Sequence, residues 1–132
     1  MEIEILGIKY PICYTVLTEK LVDERFHGIE NMDSEMEGAN THGKVQSVSF
    51  ILAALIAGGV QREKEKCAVL HTEYSGPEAI TEDQISALME PGELFDCLPT
   101  LKEAMRGAYN SKIKLHKLQS PKGKNAEATR SE

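Results

Sequence analysis

The stretch "VSFILAALIAGGV", residues 48–60, constrains this chain more than any other. Val48, Leu52, Leu55 and Ile56 line one side of a helix, and Phe50, Ile51, Ala53 and Ala54 make it apolar nearly all round. A helix with no polar face must be wrapped by other elements. The run is shorter than the roughly 20 residues needed to cross a bilayer, so it reads as the centre of a core. Gly58 and Gly59 are expected to end this helix or to kink it.

The opening residues offer one part of the wrapping. In "EIEIL" Ile3 and Ile5 share a face opposite Glu2 and Glu4, and in "IKYPICY" Ile8, Tyr10, Ile12 and Tyr14 share another. A period of two is that of half-buried strands. Gly7 can take the positive φ of a tight turn, which predicts a hairpin over residues 2–14. Pro11 has no N–H to give a ladder, which makes the second strand an edge. Residues 1–15 therefore read as strands and not as a signal peptide.

The period then becomes helical. Leu17, Leu21, Val22, Phe26 and Ile29 predict a helix over 15–27, with Thr15 and Gly28 as its caps. The polar stretch "ENMDSEMEGANTHG" reads as a loop before the apolar helix, placed at 43–60. Residues 62–74 are open to two readings, a strand or the favoured helix with Cys67, Leu70, His71 and Tyr74 on one face. "TEDQISALM" carries a capping box, Thr81 with Gln84, and predicts a helix over 81–90 with Ile85, Leu88 and Met89 inward. "EPG" breaks it. Leu94, Leu98, Leu101, Met105 and Ala108 predict a last helix over 94–118, with Asp96 a possible cap and Pro99 in the first turn. The expected fold class is α+β, mainly α-helical with about four helices, behind an N-terminal β-hairpin. One domain over 1–118 and a disordered basic tail over 119–132 are expected, since the tail holds no large apolar residue.

Charge and chemistry narrow the function classes. The formal net charge is −6, but residues 112–132 carry six basic and two acidic side chains, so the body is acidic and the end basic. An acidic body with few aromatics argues against nucleic acid. The scattered Cys13, Cys67 and Cys97 suit reduced, core-filling thiols. His27, His42, His71 and His116 make no metal spacing beyond a weak Cys67–His71 pair at i, i+4. No nucleophile elbow or phosphate loop occurs. No catalytic, cofactor or metal residue is expected, and no membrane partner.

The order of elements resembles one family. "IEILGIKYPICYTVLTEKLVDERFHG", "FILAALIAGGV" and "AITEDQISALMEPGELFDCL" are similar, in that order, to the tail assembly chaperones of long-tailed bacteriophages. The likeness covers about residues 2–110, and the charged stretch "QREKEKCAVLHTEYSG" departs from it. The resemblance implies a non-enzymatic protein of the bacterial host cytoplasm, absent from the mature virion. Such a protein binds the tape measure protein, keeps it soluble, helps recruit the tail tube protein, and self-associates. Leu94, Phe95, Leu98, Met105 and Tyr109 are the expected partner contacts, and Ile3 and Ile5 the expected self-association edge. The family also implies a longer frameshifted product, and Gly123-Lys124-Asn125 can be encoded by a slippery A-AAA-AAC run. The competing reading is a structural tail or head-completion adaptor retained in the particle.

Overall fold

In a computed structural model the described residues are 1–38 and 41–106. The fold is α+β and mainly helical. Strands β1 (Glu2–Ile5) and β2 (Ile8–Pro11) precede helices α1 (Val16–Phe26), α2 (Ile29–Gly38), α3 (Thr41–Val69), α4 (Glu82–Leu88) and α5 (Pro91–Asp96). The chain is helical again over 98–106.

The hairpin forms as its alternation predicts. β1 and β2 pair antiparallel, with Ile5 opposite Ile8 and Ile3 opposite Tyr10. Leu6 and Gly7 both have positive φ, 54° and 78°, the signature of a two-residue type I′ turn. Ile3, Ile5, Tyr10 and Ile12 are buried, while Glu2 and Glu4 face outward. Pro11 stands opposite Glu2, where its missing N–H is not asked for.

Helix α3 is the axis of the molecule. Its 29 residues span about 43 Å. Val48, Leu52, Leu55 and Ile56 are fully buried, and Ile51 and Ala54 nearly so, on the other faces of the same turns. The hairpin, α1, α2, α4 and α5 each pack against it. By length and composition His42–Val69 could cross a membrane, but 61% of its most apolar window is buried inside the protein.

The glycine pair overturns one of the two sequence expectations. Gly58 and Gly59 do not end the helix, which continues to Val69. They are where the segment joining β2 to α1 crosses it. A Cβ on Gly58 would meet the Thr18 hydroxyl, and would stand 2.6 Å from the Cys13 carbonyl oxygen. A Cβ on Gly59 would meet the Pro11 carbonyl, and would stand 2.7 Å from the Ile12 nitrogen. Main chain lies on main chain here. Cys13 N–H donates to the Leu55 carbonyl at 3.1 Å, and the buried Thr18 hydroxyl lies 3.1 Å from Cys13 O and 3.3 Å from Ala54 O.

Other boundaries also differ. The segment read as a loop contains α2, because Ile29, Met32 and Met36 recur at helical spacing and are all buried. Residues 62–69 are helix as favoured, but the helix stops at Val69, and His71 turns the chain with φ 58°. His71 is thus off the helix, and the i, i+4 relation to Cys67 does not form. α1 ends at Phe26, with His27 as the left-handed cap and Gly28, also at positive φ, following it. The last helix is broken: Pro91 opens α5, Cys97 is a turn, and Pro99 falls in the first turn of 98–106. The predicted continuation to 118, and the tail, lie outside the described residues. The Thr15 cap and the Thr81–Gln84 capping box form as read.

The crossing sets a test. Gly59→Ala gains about 1 kcal/mol of helix propensity, but must push the hairpin off α3. Overpacking of this kind costs 1–3 kcal/mol or more, so we expect a net loss of about 2 kcal/mol. Gly92→Ala in α5, where nothing lies within 4 Å, is expected to be neutral or stabilising. Urea denaturation with an unchanged slope reads both.

Candidate protein-binding groove

Two concavities lie on either side of the hairpin. The first, about 450 Å³, lies between the hairpin, the second half of α3 and residues 73–77. Its lining mixes Glu2, Glu63 and Glu73 with Lys9 and Arg62, and includes Cys13 and Cys67 but no histidine. The Arg62 guanidinium donates to Cys13 Sγ at 3.5 Å. Among the described residues no group of three His, Cys, Asp or Glu is placed to hold a metal ion.

The second concavity, about 310 Å³, is a groove beside β1. Ile3, Glu4, Ile5 and Leu6 form one wall; Leu88 and Met89 from the end of α4, with Glu93, Asp96, Cys97 and Thr100, form the other. No β2 residue lines it, so it runs along the free edge of β1. The local sequence builds both walls. The type I′ turn throws Leu6 outward, 70% exposed. The Thr81–Gln84 box starts α4, and Glu90, Pro91 and Glu93 start α5 directly after it; Glu93 Oε1 accepts from Glu90 N–H at 2.9 Å.

Charge in the groove has one sign. Glu4, Glu93 and Asp96 line it, and among the described residues no lysine or arginine does. Burial, reinforced by the Asp96 and Glu93 carboxylates, pushes the Cys97 thiol above its usual range and keeps it protonated. An apolar floor with an acidic rim suits a peptide segment that alternates apolar and basic side chains.

The residues expected from sequence divide unevenly. Leu94 and Met105 are buried in the core, at 3% and 1% exposure, as are Ile3 and Ile5 at 9% and 5%. A partner reaching these four side chains would have to displace packing. Phe95 and Leu98 are half-buried against the same core, and the Lys44 ammonium lies 5.6 Å from the Phe95 ring centre. Tyr109 lies outside the described residues. Sequence reasoning missed Leu6 and the acidic rim. It also placed Leu88 inward, whereas Leu88 is 48% exposed. The signal for Leu6 was available, since the residue before the glycine of a two-residue hairpin turn points away from both strands.

The wall formed by 98–106 is tied to α2 through Lys102 Nζ and Glu37 Oε1, 2.6 Å apart. Comparison with protein-family models, with curated proteins and with solved structures finds no match for this chain.

The Lys102 hydrogen bond and charge hold the Glu37 carboxyl below its ordinary range. A lowered folded-state pKa supports the fold above the ordinary carboxylate range, and that support fades as pH falls through the lowered value. In Lys102→Ala we expect the Glu37 carboxyl to titrate at higher pH than in the parent. A carboxyl-carbon NMR titration reads it, and an unmoved Glu37 would mean that the bridge does not hold in solution.

Proposed function

We propose that this protein is a non-enzymatic tail assembly chaperone of a long-tailed bacteriophage. It binds the tape measure protein in the host cytoplasm and keeps it soluble. It helps bring tail tube subunits to it, and it is absent from the finished particle. The observation that carries the reading is the order of elements: a hairpin with a central glycine, an amphipathic helix, a long apolar helix with a small-residue pair, then a capped acidic helix start. The sequence resemblance rests on that order; in the fold the acidic stretch before the long helix is α2, and the small-residue pair lies within α3 and not at its end.

The physics supports the reading. A tape measure is a long chain with amphipathic stripes, and such stripes aggregate when they have no partner. The chain carries fifteen basic and twenty-one acidic side chains, so each copy bound would add a net six negative charges to the complex. Leu6 and Leu88 on the groove rim offer apolar contact without dismantling the core. Several copies along one tape measure, in contact with one another, would cover its length.

The test is genetic and then biochemical. The DNA downstream should hold a very long, helix-rich reading frame, and the codons for Gly123-Lys124-Asn125 should hold the slippery run with an overlapping second frame. Co-expressed with the long protein, this chain should move it from the pellet to the supernatant. Leu6→Asp with Leu88→Asp should remove that effect while changing stability by less than about 1 kcal/mol, because both side chains are exposed. Mass spectrometry of purified virions should not find the chain; finding it at fixed copy number would favour a retained adaptor.

A further inference from the structure

β1 is paired with β2 on one side only. The register fixes which of its main-chain groups are spare. Ile5 stands opposite Ile8, and Ile3 opposite Tyr10. Across a two-residue turn the flanking pair exchanges both ladder bonds, and so does every second pair beyond it. The Ile12 N–H, which donates to Met1 O at 3.0 Å, continues that series. The N–H and C=O of Glu2 and of Glu4 therefore point away from β2, along the acidic groove. Both residues are exposed, and among the described residues no main-chain hydrogen bond from another element reaches either.

We propose that this edge binds another protein by strand addition: an extended segment that alternates lysine or arginine with apolar side chains pairs antiparallel with Glu2–Ile5 as a third strand. The spare main-chain groups ask for an extended partner, because a helix spends its own N–H and C=O internally. Antiparallel pairing is the more stable per residue. Side chains of an added strand fall on the same two faces as those of β1. Those beside Glu2 and Glu4 stand on the outer face, where a basic group is attracted and an acidic one repelled. Those beside Ile3 and Ile5 stand on the inner face, where the groove offers Leu88 and Met89. Charge selects the partner further. Glu93 and Asp96 on the opposite wall have the same sign as Glu2 and Glu4. Lys9 stands across the ladder from Glu4, yet among the described residues none of these four carboxylates makes an ion pair. A partner bringing lysine or arginine thus meets carboxylates that the fold itself has not neutralised.

The edge site deepens the groove's part in the proposed function, and rests on that reading only for the identity of the partner. There the occupant is a stretch of the long protein, and a short four-residue edge suits a contact that must later be released. A peptide tests the edge by itself. Its failure leaves the solubility assay standing, and a failed solubility assay leaves the edge standing.

The experiment is an NMR titration of the full chain with a short peptide of alternating lysine and valine, blocked at both ends. The Glu2 and Glu4 amides should shift, and at saturation should exchange with solvent roughly tenfold more slowly, while the amides of α3 keep their rates. In the antiparallel register the lysines stand opposite Glu2 and Glu4, so their main-chain N–H groups face β1 and those of the valines face away. Methylating the lysine main-chain nitrogens should weaken binding at least about tenfold, and methylating the valine nitrogens far less. A peptide with glutamate for lysine should not bind the parent, but should bind Glu2→Lys with Glu4→Lys, which should lose the lysine peptide. No shift at either amide overturns the proposal. Equal binding by the two methylated peptides, or by one of the same composition with the alternation scrambled, overturns strand addition. Glu2 and Glu4 amides already protected in the free protein overturn it too, since the edge would then be taken by the chain itself or by a second copy.

Discussion

The fold depends on one close approach of main chain to main chain. The segment joining β2 to α1 lies across α3 at Gly58 and Gly59, near enough that neither position has room for a Cβ. At that crossing Cys13 N–H meets the Leu55 carbonyl, and the Thr18 hydroxyl sits between the Cys13 and Ala54 carbonyls. Thr18 is 1% exposed, so these polar groups would otherwise be left without partners. The contact fixes the hairpin on one side of α3 and starts α1 on the same side, with Thr15 capping it three residues on. α2, α4, α5 and 98–106 then fill the faces that remain. A helix apolar all round leaves no freedom here, since any uncovered side would expose Ile51, Leu52, Leu55 or Ile56 to water.

How much of this was legible follows from which signals are local. The hairpin and the helix starts at Thr15 and Thr81 are each written in a few adjacent residues, and all were readable. The glycine pair was misread because a glycine's local meaning is a weak helix, while here its meaning is the space it leaves for residues more than forty positions away in sequence. α2 was missed for the opposite reason: its three buried residues, Ile29, Met32 and Met36, are diluted by seven polar or glycine positions, and composition outweighed spacing. The groove was not legible at all. Its walls come from β1 and from α4 and α5, some eighty residues apart, and only the fold places Leu6 beside Leu88. The partner stripe was legible as a stripe, but its most apolar members, Leu94 and Met105, serve the core.

Surface chemistry and edge chemistry then meet at one place. A two-stranded sheet has two edges, and open edges invite pairing with other chains. The outward face of β1 carries Glu2 and Glu4, and the groove beside it adds Glu93 and Asp96, so the edge carries charge of one sign. The same charges favour a basic, alternating segment. In the chaperone reading this is a useful combination. A protein that must shield apolar surface on a long partner has to offer apolar contact without using it on itself. Here Leu6 and Leu88 supply the contact and the carboxylates limit who may take it. Helix α3 sets the scale of the arrangement. Because residues 48–60 of α3 are spent on internal packing, recognition in the chaperone reading is left to the short elements at its flank, where a hairpin edge and two helix termini converge.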